Sequence, residues 1–124
     1  MNKLRRAIIS ARTGLEIAAD GELTGEFFFP ESFVGFAGHF PGHPLVPAVV
    51  QVLIAQTLIE ERCGAPLRLT EFEGAKFFEQ LRPLMPITVV CRERRPLPTA
   101  RWQVQLSAGG RPVAAFRLGL CEEG

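Results

Sequence analysis

The stretch from Leu45 to Ile59 limits what this chain can fold into more than any other. Only Pro47, Gln51, Gln56 and Thr57 interrupt its apolar run. Pro47 suits the first turn of a helix, where a missing N–H costs nothing. Glu60, Glu61 and Arg62 would finish that helix in solvent, and Gly64 with Pro66 is a stop signal. A helix apolar on nearly every side must be buried on nearly every side. It is too short to cross a bilayer. In 124 residues there is room for one domain, expected over 1–124, so the cover has to be a sheet wrapped around the helix.

The rest of the chain supplies that sheet. Glu16 to Phe29 reads as a hairpin turning at Asp20-Gly21, and Pro30 ends its second strand. Gly35 to Pro47 is rich in Gly and Pro and must be irregular. Leu67 to Glu79 is long enough for an extended strand, with Gly74 as a candidate bulge. Ile87 to Arg94 is the next strand. Trp102, Val104 and Leu106 alternate with polar neighbours, Gly109-Gly110 turns the chain, and Phe116, Leu118 and Leu120 alternate on the return. Hairpin, irregular loop, one buried helix and about four strands make an α+β layout with an antiparallel sheet.

Composition narrows the function classes. A formal net charge of +1 gives no general pull toward nucleic acid or acidic membranes. Cys63, Cys91 and Cys121 are scattered, with no C-x-x-C pair, which suits reduced thiols in the cytoplasm better than disulfides or zinc. The apolar stretch Ala7 to Ile9 is too short for a signal peptide or a membrane span. Two histidines without a nearby carboxylate do not make a metal site, and no cofactor is expected. Ten Phe and no Tyr point to a greasy interior or tunnel.

The segment carrying chemistry is Gly38-His39-Phe40-Pro41-Gly42-His43-Pro44-Leu45-Val46-Pro47-Ala48-Val49-Val50-Gln51. It holds a histidine in a stiff loop that runs into the N-terminus of an apolar helix. That terminus has unpaired N–H groups and a positive dipole end. An imidazole titrating near neutrality can move a proton, and helix N–H groups can hydrogen-bond a thioester carbonyl oxygen and stabilise an enolate. Those are the two tools for removing a proton beside a thioester. Taken without its setting, His39 would read as a capping or loop-bracing residue. His43 reads as a loop residue that could meet a carrier's phosphate, and Gln51 and Gln56 as helix polar residues making core hydrogen bonds.

His39-Phe40-Pro41-Gly42, then Pro44 and Pro47 before a small residue and an apolar helix, resembles the bacterial β-hydroxyacyl-acyl-carrier-protein dehydratases. It is also similar to the related dehydratases of aryl polyene pathways, which share the look of Pro44 to Gln51. Gly74-Ala75-Lys76-Phe77, Arg82-Pro83 and Met85-Pro86 resemble the family's central strand and turn, so the resemblance runs from roughly Phe27 to Arg94. It implies a hot-dog fold, a curved sheet around one central helix. Two chains would pair through their sheets, as a homodimer or higher homo-oligomer, with each active site across the interface. His39 would abstract the α-proton of a (3R)-hydroxyacyl thioester, and the N–H of Ala48, where the family usually has Gly, would bind the carbonyl. Phe40, Gly42, Gln51 and Leu53 would complete the substrate site. The substrate would ride on an acyl-carrier protein or coenzyme A. Lys76, Arg82, Arg92, Arg94 and Arg95 are the expected carrier-docking cations; the bland reading of the last three is a solvated strand edge.

The chain departs from the family at the acid. The family's Glu or Asp falls fourteen positions after the histidine, and here that position is Leu53. Glu60 and Glu61 lie about two turns further, roughly 10 Å along the axis, and cannot simply stand in. Three functions follow: a dehydratase with an incomplete dyad, a non-catalytic carrier-binding or heteromeric subunit whose partner supplies the acid, and, last, an acyl thioesterase.

Overall fold

A computed structural model describes residues 3–33 and 48–123 of the chain. The first described element is a helix, α1 (Lys3–Ala11), where the sequence reading expects no element. Leu4, Ala7, Ile8 and Ala11 recur at helical spacing; Ile8 and Ala11 are buried, and Leu4 and Ala7 pack against the core. The expectation of a single helix is therefore short by one.

The hairpin is as expected but starts earlier: β1 (Arg12–Ile17) and β2 (Leu23–Phe28) pair antiparallel. At the turn Gly21 takes φ 88°, and Asp20 Oδ1 accepts the Glu22 N–H at 3.0 Å. The central helix α2 (Ala48–Cys63) follows. Four strands complete the chain: β3 (Leu67–Phe77), β4 (Pro86–Arg95), β5 (Ala100–Ala108) and β6 (Arg111–Glu122). They form one six-stranded antiparallel sheet in the order β1-β2-β4-β5-β6-β3. Alternation places Leu23 and Phe27 of β2, Ile87 and Val89 of β4, Trp102, Val104 and Leu106 of β5, and Phe116 and Leu118 of β6 in the buried core.

α2 lies against β2 and β4 and buries Val50, Ile54, Ala55, Leu58 and Ile59. The approach is close enough to require a glycine. A Cβ on Gly25 would stand 2.7 Å from Leu58 Cδ1. At the far end Gly64 takes φ 71° and its N–H bonds Glu60 O at 2.8 Å, a left-handed helix stop. Glu60 is not left in solvent as expected: it pairs with Arg5 of α1 and accepts the Leu67 N–H at 2.8 Å. Gln56 Nε2 donates to Leu67 O at 2.9 Å, so Gln56 is a core hydrogen-bonding residue.

β3 has β6 as its one neighbour in the sheet. Only its first residue, Leu67, is buried; Leu69, Phe72 and Phe77 are large apolar side chains left exposed along it. Gly74, at φ 64°, sits where the β3–β6 register shifts, which is the expected bulge.

Candidate active site

His39, Phe40, Gly42 and His43 lie outside the described residues, so the site is built from the helix that their loop enters. Ala48 is the first residue of α2. Its N–H belongs to a first turn that has no intrahelical acceptors, at the positive end of the helix dipole. Ala48 is exposed, and Val49 beside it is 73% exposed. Leu53 is half-buried and stands four residues after Val49, on the same helix face. Gln51 faces the interior and is buried. Up to Ile59 the helix is thus buried except at Ala48, Val49 and, in part, Leu53, at the end where the histidine loop joins it; its last turn, with Glu61 and Arg62, is exposed as well. Donor N–H groups beside an apolar stripe suit a polar head group, such as a thioester carbonyl, with an acyl chain behind it.

No carboxylate shares that stripe. Glu60 is held by Arg5 and by the Leu67 N–H, and Glu61 pairs with Arg12. Both carboxylates brace the opposite end of α2. A cleft of about 750 Å³, lined by Arg5, Ile9, Arg12, Thr57 and Pro66 among others, opens at that end too. Its position, remote from Ala48, separates it from the site.

The candidate docking cations do not form one cluster. Arg92, Arg94 and Arg95 share the end of β4, beyond Cys91, where pairing with β2 stops and β5 alone continues. There Arg92 is tied to Glu22, and Arg95 Nε donates to Thr99 O at 2.7 Å. Lys76 lies on β3, separated from β4 by β6 and β5, three strand spacings or about 14 Å away. Arg82 is exposed in the connection from β3 to β4.

The three thiols are unbridged. Burial pushes Cys91 up to about 12, and burial, then the Glu93 carboxylate, raises Cys63, so neither offers a nucleophilic thiolate at neutral pH. Among the described residues no three His, Cys, Asp or Glu side chains group as a metal site, and no helix is long and apolar enough to cross a membrane.

The sequence matches the ApeI-like family, described as ApeI dehydratase, over residues 16–114. It is 42% identical over 65 residues to a 3-hydroxyacyl-[acyl-carrier-protein] dehydratase FabZ of Acidiphilium cryptum, a match covering 45% of this chain and 36% of that protein. The chain thus spans little over a third of this curated relative's length. Among solved structures it resembles the dehydratase heterocomplex ApeI:P from Xenorhabdus doucetiae, with TM-score 0.75 and 18% identity over 90% of this chain and 96% of the other. A mutant thioesterase from Pseudomonas aeruginosa superposes with TM-score 0.64 and 20% identity, over 99% and 96% of the two chains. At these identities the structures speak to fold alone, and the fold is the hot dog.

Proposed function

This chain belongs to the ApeI-like dehydratase family, and on that footing we propose that it acts on β-hydroxyacyl thioesters as a dehydratase with an incomplete acid–base pair. The observation that carries the reading is the opening on the N-terminal part of α2, where Ala48 and Val49 are exposed and Leu53 is half-buried, at the junction with the histidine loop. In this reading His39 removes the α-proton, the Ala48 N–H holds the carbonyl oxygen, and Phe40, Gly42 and Leu53 shape the acyl slot, with Gln51 buried behind it. The thioester is carried by acyl-carrier protein or coenzyme A, in the cytoplasm, with Arg92, Arg94 and Arg95 at one edge and Arg82 and Lys76 apart from them. The remaining deficit is the group that helps the β-hydroxyl leave, because Leu53 has no proton to give.

The test is turnover of crotonyl- and longer enoyl-thioesters by wild type, Leu53→Glu, His39→Ala and the double variant. One general acid–base group is worth about 10²–10⁴-fold. Wild type alone should be slow, Leu53→Glu should raise activity within that range, and His39→Ala should abolish both. Brisk wild-type turnover surviving His39→Ala would overturn the site.

A second reading rests on the same stripe. Val49 and Leu53 are open to a partner, and the ApeI:P relative is a heterocomplex. A second hot-dog subunit bearing a helix carboxylate would then complete the pair across the interface. Activity appearing only on mixing the two chains, and lost with His39→Ala in this one, separates it from the first reading. A thioesterase comes third: it would need a carboxylate to attack or activate water, and the described part of α2 offers none on its open face.

A further inference from the structure

The cleft between α1 and the C-terminal turns of α2 has the size of a small-molecule site, about 750 Å³, and most of the surface facing it is apolar. Ile9 is left 38% exposed there. It stands on the flank of α1 that carries Arg5 and Arg12, not on the face that Leu4, Ala7, Ile8 and Ala11 turn to the core. Ala65 and Pro66 of the α2–β3 connection add to the wall. The charges on the lining are largely matched within the protein. Arg5 pairs with Glu60 and Arg12 with Glu61, which leaves the exposed Glu123. Paired charges ask for no counter-ion, and the stems of arginines are themselves apolar. The cleft calls for an apolar ligand.

Though apart from Ala48, the cleft shares a side of α2 with it. Val49, Leu53 and Thr57 follow one another at four-residue spacing and so lie along one side of the helix. Val49 is exposed, Leu53 is half-buried, and Thr57 lines the cleft. The Thr57 hydroxyl donates to Ile54 O at 2.8 Å, so its polar demand is met inside the helix. From Ala48 to Thr57 the helix rises about 13 Å. An extended carbon chain advances about 1.2 Å per bond, as extended backbone does, so about eleven bonds cover that distance.

We propose that the cleft receives the distal end of the substrate's acyl chain, lying along the Val49, Leu53 and Thr57 side of α2. The protein therefore takes long-chain acyl thioesters, of about twelve carbons or more. This rests on the dehydratase reading for the thioester's place at Ala48, and on the cleft for the length. Shorter chains end on Val49 and Leu53 and gain nothing from α1.

The test is calorimetric binding of butyryl-, octanoyl-, dodecanoyl- and hexadecanoyl-coenzyme A below their micelle concentrations, which reads affinity without turnover. Each buried methylene is worth up to about fourfold, so hexadecanoyl should bind at least about tenfold more tightly than dodecanoyl. Ala65→Trp, which fills the cleft, and Ile9→Asp, which charges its wall, should each remove most of that gain. Neither position is part of the buried core. Amide exchange gives a second readout: hexadecanoyl-coenzyme A, unlike butyryl-coenzyme A, should slow exchange over residues 3–11. No binding of hexadecanoyl-coenzyme A, affinity equal to that of dodecanoyl, a gain kept in full by both variants, or no added protection of α1 would overturn the proposal. Length-dependent binding without turnover would uphold the cleft and count against the dehydratase reading; crotonyl turnover without length dependence would do the reverse.

Discussion

Cys91 shows how one side chain ties stability to solution conditions. It lies wholly inside the sheet core, and burial raises its thiol from 9.0 to about 12. In the unfolded chain the thiol ionises near its ordinary value; in the folded chain it stays protonated. The stabilisation is thus fully present below pH 9 and drains away as pH rises from 9 toward 12, at about 1.4 kcal/mol per pH unit. Denaturant unfolding of wild type and Cys91→Ala between pH 8 and 11 should give a steeper fall for wild type. The variant keeps the smaller slope due to Cys63, which is raised in the same direction. Parallel curves would refute the assignment. Native-state labelling with a thiol reagent should likewise leave Cys91 unmodified until the protein unfolds.

Among the elements, α2 sets the two tightest requirements. Its contact with β2 at Gly25 has no room for a methyl group, since both Leu58 Cδ atoms and Phe27 Cε1 lie within 3.1 Å of where a Cβ would stand. Leu58 and Phe27 are themselves buried and cannot simply swing away. Gly25→Ala should cost about 1–3 kcal/mol, the usual range for overpacking, measured as a lower denaturation midpoint. At its C-terminal end, Glu60 joins three elements through Arg5 of α1 and the Leu67 N–H of β3. Glu60→Gln removes the partly buried Arg5–Glu60 ion pair and should cost about 1–3 kcal/mol. It should also loosen α1 first, visible as faster amide exchange over residues 3–11. Unchanged exchange there would show α1 to be held by its apolar face, Leu4, Ala7, Ile8 and Ala11.

On the scale of the whole molecule the open questions are the two bare regions: the edge of β3 and the stripe on α2. A long edge strand with exposed Leu69, Phe72 and Phe77 is the kind of edge that pairs with another chain. Sheet-to-sheet pairing through it predicts a dimer at micromolar concentration by light scattering, and Leu69→Asp/Phe77→Asp should shift the mass toward monomer. A wild-type monomer under those conditions would remove the shared active site along with the dimer. Phe72 is a poorer choice for that test because its ring also packs edge-on against Phe116 of the core, at 5.5 Å between centroids.

Periodicity and turn chemistry carried most of the fold in the sequence. The apolar run of α2, the alternation of Trp102, Val104 and Leu106, the Asp20-Gly21 and Gly109-Gly110 turns and the Gly74 bulge are local signals, and local physics decides them. The repeat of Leu4, Ala7, Ile8 and Ala11 in α1 is equally local, but it spans barely two turns among basic residues, too short a run to signal a helix without the core it packs against. Through resemblance, the loop motif makes His39 the expected base and Leu53 the departure from the family's acid, which is information about chemistry, not about position. Other features depended on chain segments far apart in sequence. That Glu60 and Glu61 are tied to Arg5 and Arg12, and that β4 outruns β2 so that Arg92 to Arg95 pair along β5 alone, follow from packing. Spacing along the chain fixes which face a side chain takes; only the assembled sheet and helix decide what stands across from it.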